Sequence, residues 1–469
     1  MAAPVREVTS VPSSASRKTS DKTNRAQAAA RPIFEPLAFR NLEVKNRLFR
    51  SSISGRFDNY DGSGTETRID WDVKFARGGI GAVISSNTPV HPRGLIVPNY
   101  AHLDSDDKVP FWKELGKRVR DAGAKYIVQL AYSGRQRDIP SVQYETGLSS
   151  TDKPDPVHGF RCERATREQI AEVVDSFAQA ARRAREAELD GIEIHGCNGY
   201  FITQFLSPAI NDRTDEYGGS LENRARVAVE IVRAMREQIG DDFHLQFKIS
   251  AIDDGKALFP WAKEGTTLEE SIQVCKWLVE AGVDGLHISS GYLFPHPRNP
   301  AGVFPIADVI RSYDTMLSSG KNTFRNYLMF RTPPINKGFA WAWERRVRKL
   351  GVEGINLDLA RAIKREVDVP VLCAGGFQTA SFIAKAIEDG SIDGVTMGRT
   401  LIANPDLPNL FQAGHDRAPQ PCTYCNKCLI NFVENPLGCY EEKRYASRDE
   451  MIRHIMSVYE GAPLPAEVK

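Results

Sequence analysis

TREQIAEVVDSFAQAARRAREAELDGIEIHGCNGY, residues 166–200, holds one complete structural unit with its punctuation. Thr166 followed by Gln169 is a capping box, and Ile170, Val174, Phe177, Ala181 and Ala184 recur at helical spacing, so the first part predicts an amphipathic helix. LDGIEI then reads as a short buried strand. That strand ends on three hydrogen-bonding side chains, His195, Asn198 and Tyr200. Burying them without partners would cost roughly 1–3 kcal/mol each, so something polar is expected to meet them.

The same unit repeats along the chain. Strand candidates are RLFRSS (47–52), IGAVISS (80–86), AKYIVQL (124–130), DGIEIH (190–195), LQFKIS (245–250), DGLHIS (284–289), VPVLCAG (369–375) and DGVTMG (393–398). Helical stretches separate them, such as TLEESIQVCKWLVEAG, boxed by Thr267 and Glu270 and stopped by Gly282. Eight strands, each apolar enough to be covered on both faces, point to an α/β fold of the (β/α)8 (TIM) barrel type. A doubly wound sheet would want GxGxxG after its first strand, and none stands there.

Around the barrel, expected over residues 31–418, lie three additions. Residues 1–30, rich in Ser, Thr, Ala and basic residues and lacking an apolar core, read as a disordered tail rather than a secretory signal. The connection after the sixth strand carries an insertion, residues 292–350, far longer than the usual loop of about 2–6 residues. It would sit on the face where the strands end, walling a site or meeting a partner subunit in a homo-oligomer. Residues 419–469 form a Cys-rich C-terminal extension.

Composition excludes several partners. The 469 residues carry 61 basic and 60 acidic side chains, which leaves no charge bias toward nucleic acid or membrane surfaces. No run approaches the roughly 18 apolar residues of a membrane span. Of the eight cysteines, Cys162, Cys197, Cys275 and Cys373 are scattered, whereas Cys422, Cys425, Cys428 and Cys439 cluster. That pattern suits metal or cluster chemistry in a reducing cytoplasm better than a disulfide framework.

Function in a barrel lives beyond the strand ends. Collected there are Ser54, Gln129, His195, Asn198, Tyr200, Lys248, the pair Gly375 and Gly376, and Gly398 with Arg399. Glycine-freed N–H groups beside a helix start bind phosphate, and an arginine fork adds bidentate charge. A phosphate site between strands 7 and 8 is the recurrent barrel arrangement.

IEIHGCNGYFITQFLSPAINDRTDEYGGSLENR (192–224), with IFEPLAFRNLEVKNRL, VPVLCAGGF and DGVTMGRTLIANPDL, resembles the old yellow enzyme family of FMN-dependent NAD(P)H oxidoreductases. The resemblance implies FMN across the barrel mouth, its phosphate on Gly375, Gly376, Gly398 and Arg399. It implies Gln129 and Lys248 at the flavin's pyrimidine end and Ser54 near its O4. It further implies His195 and Asn198 on the oxygen of an enone-like substrate, Tyr200 as proton donor, and NAD(P)H as reductant. Lys248 stands where many members have Arg, Tyr132 where His is frequent and Ser54 where Thr or Cys is found, which implies a shifted flavin potential.

CTYCNKCLINFVENPLGC spaces its thiols by two, two and ten residues. It resembles the segment that binds a four-iron cluster in the trimethylamine dehydrogenase and 2,4-dienoyl-CoA reductase branch. Four thiolates suit a [4Fe-4S] cluster or zinc, and free thiols remain a third reading. The reaction expected is reduction of an activated C=C bond. An amine or dienoyl-CoA type dehydrogenase and a flavin/iron–sulfur electron-transfer subunit are the alternatives.

Overall fold

A computed structural model describes residues 30–53, 55–137, 144–257, 261–317 and 320–459. Ser54 and nearly all of the expected N-terminal tail lie outside the described residues.

Eight parallel strands close into a barrel in chain order: β1 (Leu48–Arg50), β2 (Ala82–Pro89), β3 (Lys125–Ala131), β4 (Gly191–Gly196), β5 (Leu245–Ser250), β6 (Gly285–Ser289), β7 (Val371–Ala374) and β8 (Gly394–Met397). β8 pairs back onto β1 through Val395 and Leu48. Each strand overlaps its expected segment. β2 runs farther than its apolar sequence implies, because a register shift between Ile84 and Asn87 absorbs the polar residues and lets pairing resume.

Local sequence sets the helices. Both capping boxes form, Thr166 with Gln169 and Thr267 with Glu270. In the helix Arg167–Glu186 the buried stripe includes Ile170, Val173, Phe177, Ala181 and Ala184. Val173 thus takes the place expected of Val174, which is half-buried, since successive turns advance by 3.6 residues rather than four.

The barrel floor is closed by a short hairpin, Leu37–Ala38 against Glu43–Val44. Phe39 and Leu42 join Phe49, Ile84, Ile127 and Leu372 in a separate apolar cluster. The mouth is covered differently. The insertion folds into helices Ile306–Met316, Thr323–Arg331 and Pro333–Leu350. It meets the extension within the same chain, where Asn431 donates to Asp308 at 2.9 Å. No helix among the described residues is long and apolar enough to cross a membrane.

Between the barrel wall and the helix Glu66–Arg77 lies a buried charge network. Asp72 is 3.4 Å from Arg50 and 2.9 Å from Arg68, and it accepts the Tyr126 hydroxyl at 2.8 Å; Arg68 also reaches Asp58 at 3.3 Å. Removing one member strands the others in a low dielectric. Asp72→Asn should therefore lower unfolding stability by about 3–5 kcal/mol. Urea denaturation measures this, and a loss under about 1 kcal/mol would mean that the network adds packing but little charge pairing.

Candidate active site

Strand parity builds the site. Residues two apart share a face, so Glu193 and His195 on β4 point the same way, as do Gln246 and Lys248 on β5. Register then aligns Gln129, Glu193 and Gln246 in one layer and His195, Lys248 and His287 in a layer nearer the mouth. The cavity above them is lined by Gln129, His195, Asn198, Tyr200, Lys248, Gly375, Gly376, Gly398 and Arg399. Every described residue collected from the strand ends is brought together there, whereas Tyr132 packs against Phe201, ring centroids 5.1 Å apart, outside the cavity lining.

His195 has a defined tautomer. Its Nδ1 lies 3.2 Å from the side-chain amide nitrogen of Asn87, which can only donate, so the ring proton sits on Nε2. Burial and then the Lys248 charge pull its pKa down to about 3, so the ring is a neutral donor at physiological pH. Its centroid is 4.8 Å from that of Tyr200. Asn198 differs from the expected second donor. With a left-handed φ of 59° it turns back over β6, and its amide hydrogens go to Ser289 Oγ at 3.2 Å and the Ser290 carbonyl at 3.0 Å.

Beneath lies Glu193. It accepts from Gln129 at 2.6 Å, Gln246 at 2.5 Å and the Nδ1 of His287 at 2.8 Å. Burial opposes its ionisation, but the His287 ring, the Lys248 charge and the Gln129 amide together hold its carboxyl below the usual range. Lys248 is buried and lines the cavity, yet among the described residues its ammonium makes no hydrogen bond or ion pair. A buried cation in that position is costly unless an anionic group meets it.

The other end of the cavity is built for an anion as well. Arg399 is fixed by the Ala301 carbonyl at 2.6 Å and by Asn426, and its guanidinium lies 5.4 Å from the Tyr424 ring centroid. Among the described residues, the buried Thr400 hydroxyl beside it has no hydrogen-bond partner. Gly376 has φ +67°, and a Cβ there would meet the Val352 carbonyl at 2.8 Å.

Cys422, Cys425, Cys428 and Cys439 line one small cavity, of which Arg399 is also a wall. Left-handed turns at Tyr424 and Asn426 bring the thiols round to it. Among the described residues, no three His, Cys, Asp or Glu side chains are gathered closely enough to hold a single metal ion.

Several cavity residues escaped sequence reading: Asn87, Arg298, Asn356, Thr400 and Tyr424. Asn87 and the buried Glu193 had a signal, a polar residue inside a strand otherwise covered on both faces. Arg298 and Tyr424 had none, because the insertion and extension place them from far along the chain.

A (β/α)8 barrel with a neutral histidine donor, a buried lysine without an ion pair among the described residues and a cationic cradle at its mouth is a site for an anionic ligand held beside a hydrogen-bond donor. The profile of the NADH:flavin oxidoreductase/NADH oxidase family matches residues 32–314. The chain belongs to that family, whose cofactor is FMN and whose reductant is NAD(P)H. It is 31% identical over 421 residues to an NADH oxidase of Thermoanaerobacter brockii, covering 87% of this chain and 56% of that protein. A Halalkalibacterium halodurans NADPH dehydrogenase is 35% identical over 285 residues, covering 60% of this chain and 79% of the other. A 2-naphthoyl-CoA reductase structure superposes with a TM-score of 0.71 at 25% identity, covering 87% of this chain and 56% of that one. The chain thus spans little more than half the length of the first and last of these relatives.

The cavity fits FMN at both ends, with Lys248 toward one and Arg399 with Thr400 toward the other. Lys248→Met should raise the stability of the FMN-free protein by on the order of 1–4 kcal/mol while weakening FMN binding roughly 10- to 100-fold. Denaturation of the apoprotein and FMN titration measure the two effects. A variant that loses stability would place Lys248 in a structural role instead.

Proposed function

We propose that this chain reduces the activated C=C bond of α,β-unsaturated carbonyl compounds, using FMN reduced by NAD(P)H. The observation that carries the reading is His195, a neutral ring with its Nε2–H left for the cavity, beside Tyr200. A Caballeronia cordobensis alkene reductase/demethylase, 27% identical over 419 residues, supports it.

Gln129 and Lys248 would hold the pyrimidine end of FMN, and Gly375, Gly376, Gly398 and Arg399 its phosphate, with Ser54 near O4 by resemblance alone. The Gln129 amide hydrogens turn toward Glu193, which leaves its carbonyl oxygen as an acceptor. When bound and reduced, FMN supplies a hydride to the β-carbon of the alkene. His195 donates to the carbonyl oxygen, where negative charge develops, as a preset donor that needs no reorganisation. Asn198 joins it by turning one amide hydrogen away from Ser289 or Ser290. Tyr200 holds a proton at its Oη and delivers it to the carbon beside the carbonyl.

The extension favours a second reading alongside the first. Its four thiols share a cavity wall, Arg399, with the flavin cavity, so we propose an iron–sulfur cluster there. Iron, sulfide and zinc assays on anaerobically purified protein decide this.

Anaerobic rapid mixing tests the main reading. In Tyr200→Phe, NADPH should bleach the flavin at the wild-type rate, whereas reoxidation by 2-cyclohexenone should slow by roughly 10²- to 10⁴-fold. Equal slowing of both half-reactions would remove Tyr200 from proton transfer. A wild-type flavin that no enone reoxidises would end the proposal.

A further inference from the structure

Phe294, Pro300, Leu429 and Phe432 each have the active-site cavity on one side and a second cavity on another. The second measures about 430 Å³ and lies between the insertion and the extension. That is the size of a pocket for a drug-sized organic molecule. Its wall is aromatic: Phe304 packs with Phe330, Phe339 and Trp343 at centroid distances of 5.4, 4.8 and 5.0 Å. The Trp343 N–H is satisfied by the Gly302 carbonyl at 2.9 Å, so toward the chamber this ring offers carbon. Val309, Met329 and Val433 continue the apolar lining.

One polar group inside is unsatisfied. His158 is 3% exposed and lines this chamber but not the first, and among the described residues its buried Nδ1 has no hydrogen-bond partner. Its Nδ1 lies 3.9 Å from Asp155, whose carboxylate already accepts four backbone N–H groups. The chamber opens to solvent on one side, and an aromatic-walled cleft of this size has the form of a site for an apolar ligand.

We propose that this chamber receives the apolar body of the substrate while its activated alkene lies against His195 and Tyr200. The preferred substrates are then α,β-unsaturated carbonyl compounds bearing a bulky hydrophobic ring system or chain, with a hydrogen-bonding atom on that body meeting His158. The two cavities adjoin along the side chains of Phe294, Pro300, Leu429 and Phe432, which would part to admit the substrate, and the scarcity of cationic groups in the second disfavours a nucleotide there. This assignment rests on the ene-reductase reading for the position of the reacting end. It deepens that reading by naming what lies beyond the double bond.

Two methyl ketones with the same reacting group separate the effects: 4-(biphenyl-4-yl)but-3-en-2-one and pent-3-en-2-one, which carries a methyl in place of the biphenyl. Each is titrated into the oxidised FMN-loaded enzyme and followed by flavin absorbance, with turnover measured separately by NADPH consumption. The biphenyl ketone should bind roughly 100-fold more tightly. Val309→Trp, which fills the chamber, should cut that preference to less than about fivefold. Met329→Trp is the second filling variant should the first not retain FMN. Equal affinity of the two ketones in the wild type, or a preference that survives both fillings, overturns the chamber assignment. Chamber-dependent binding without turnover would instead overturn the ene-reductase reading and leave the chamber standing.

Discussion

One carboxylate sets the hydrogen-bond polarity of the barrel interior. Ionised Glu193 can only accept, so every neighbour must turn a donor toward it. Gln129 and Gln246 therefore present their NH2 groups, and His287 carries its proton on Nδ1. The consequences travel outward. Nε2 of His287 becomes the acceptor for Thr396 at 2.7 Å, on the cavity wall, and burial keeps that ring toward its neutral form. The carbonyl oxygen of Gln246 takes the Nε2–H of His244 at 3.0 Å, and His244 packs against Phe39 of the floor, centroids 4.6 Å apart. Floor and mouth are joined by one directed chain whose sense is fixed at its centre.

That chain explains why the site is charged yet ordered. Lys248 is near enough to Glu193 to favour its ionisation, but it is not consumed by an ion pair. Glu193 spends its lone pairs on amides and a ring, so the ammonium is left for the cavity. A protein selected for stability alone would replace such a lysine with an apolar side chain. Such a lysine, facing the cavity without an ion pair among the described residues, is placed to meet an anionic ligand.

The barrel was legible because most strands carry their own evidence: short apolar runs, three of them opened by Asp-Gly, with two of the intervening helices started by capping boxes. The barrel residues of the site were legible for a related reason, since strand ends in a closed barrel converge wherever the strands pair in order. What stayed hidden is non-local. Asn87 reaches His195 only because a bulge resets the register of β2 at Ile84. That Asn198 spends its amide on Ser289 and Ser290 follows from a left-handed turn, which an Asn-Gly pair permits but does not dictate. The second chamber needs three segments far apart in the chain, one around His158, one in the insertion and one in the extension, and no local pattern announces their meeting.

The insertion and the extension are coupled at Asn426 as well as at Asn431. Asn426, between two cysteines, donates to the Pro300 and Val303 carbonyls at 3.1 and 2.9 Å and accepts from Arg399. Tyr424, two residues earlier, donates to the Gly376 carbonyl. The cysteine-bearing turn therefore holds the insertion on one side and the glycine–arginine cradle on the other. Leu429 and Phe432, one helical turn onward, form the wall between the two cavities. The extension is thus not an appendage that could be removed to leave a simpler barrel. Its Asn426 and Tyr424 side chains fix the anion cradle, its apolar residues divide the mouth into two chambers, and its four thiols line a cavity that Arg399 also walls.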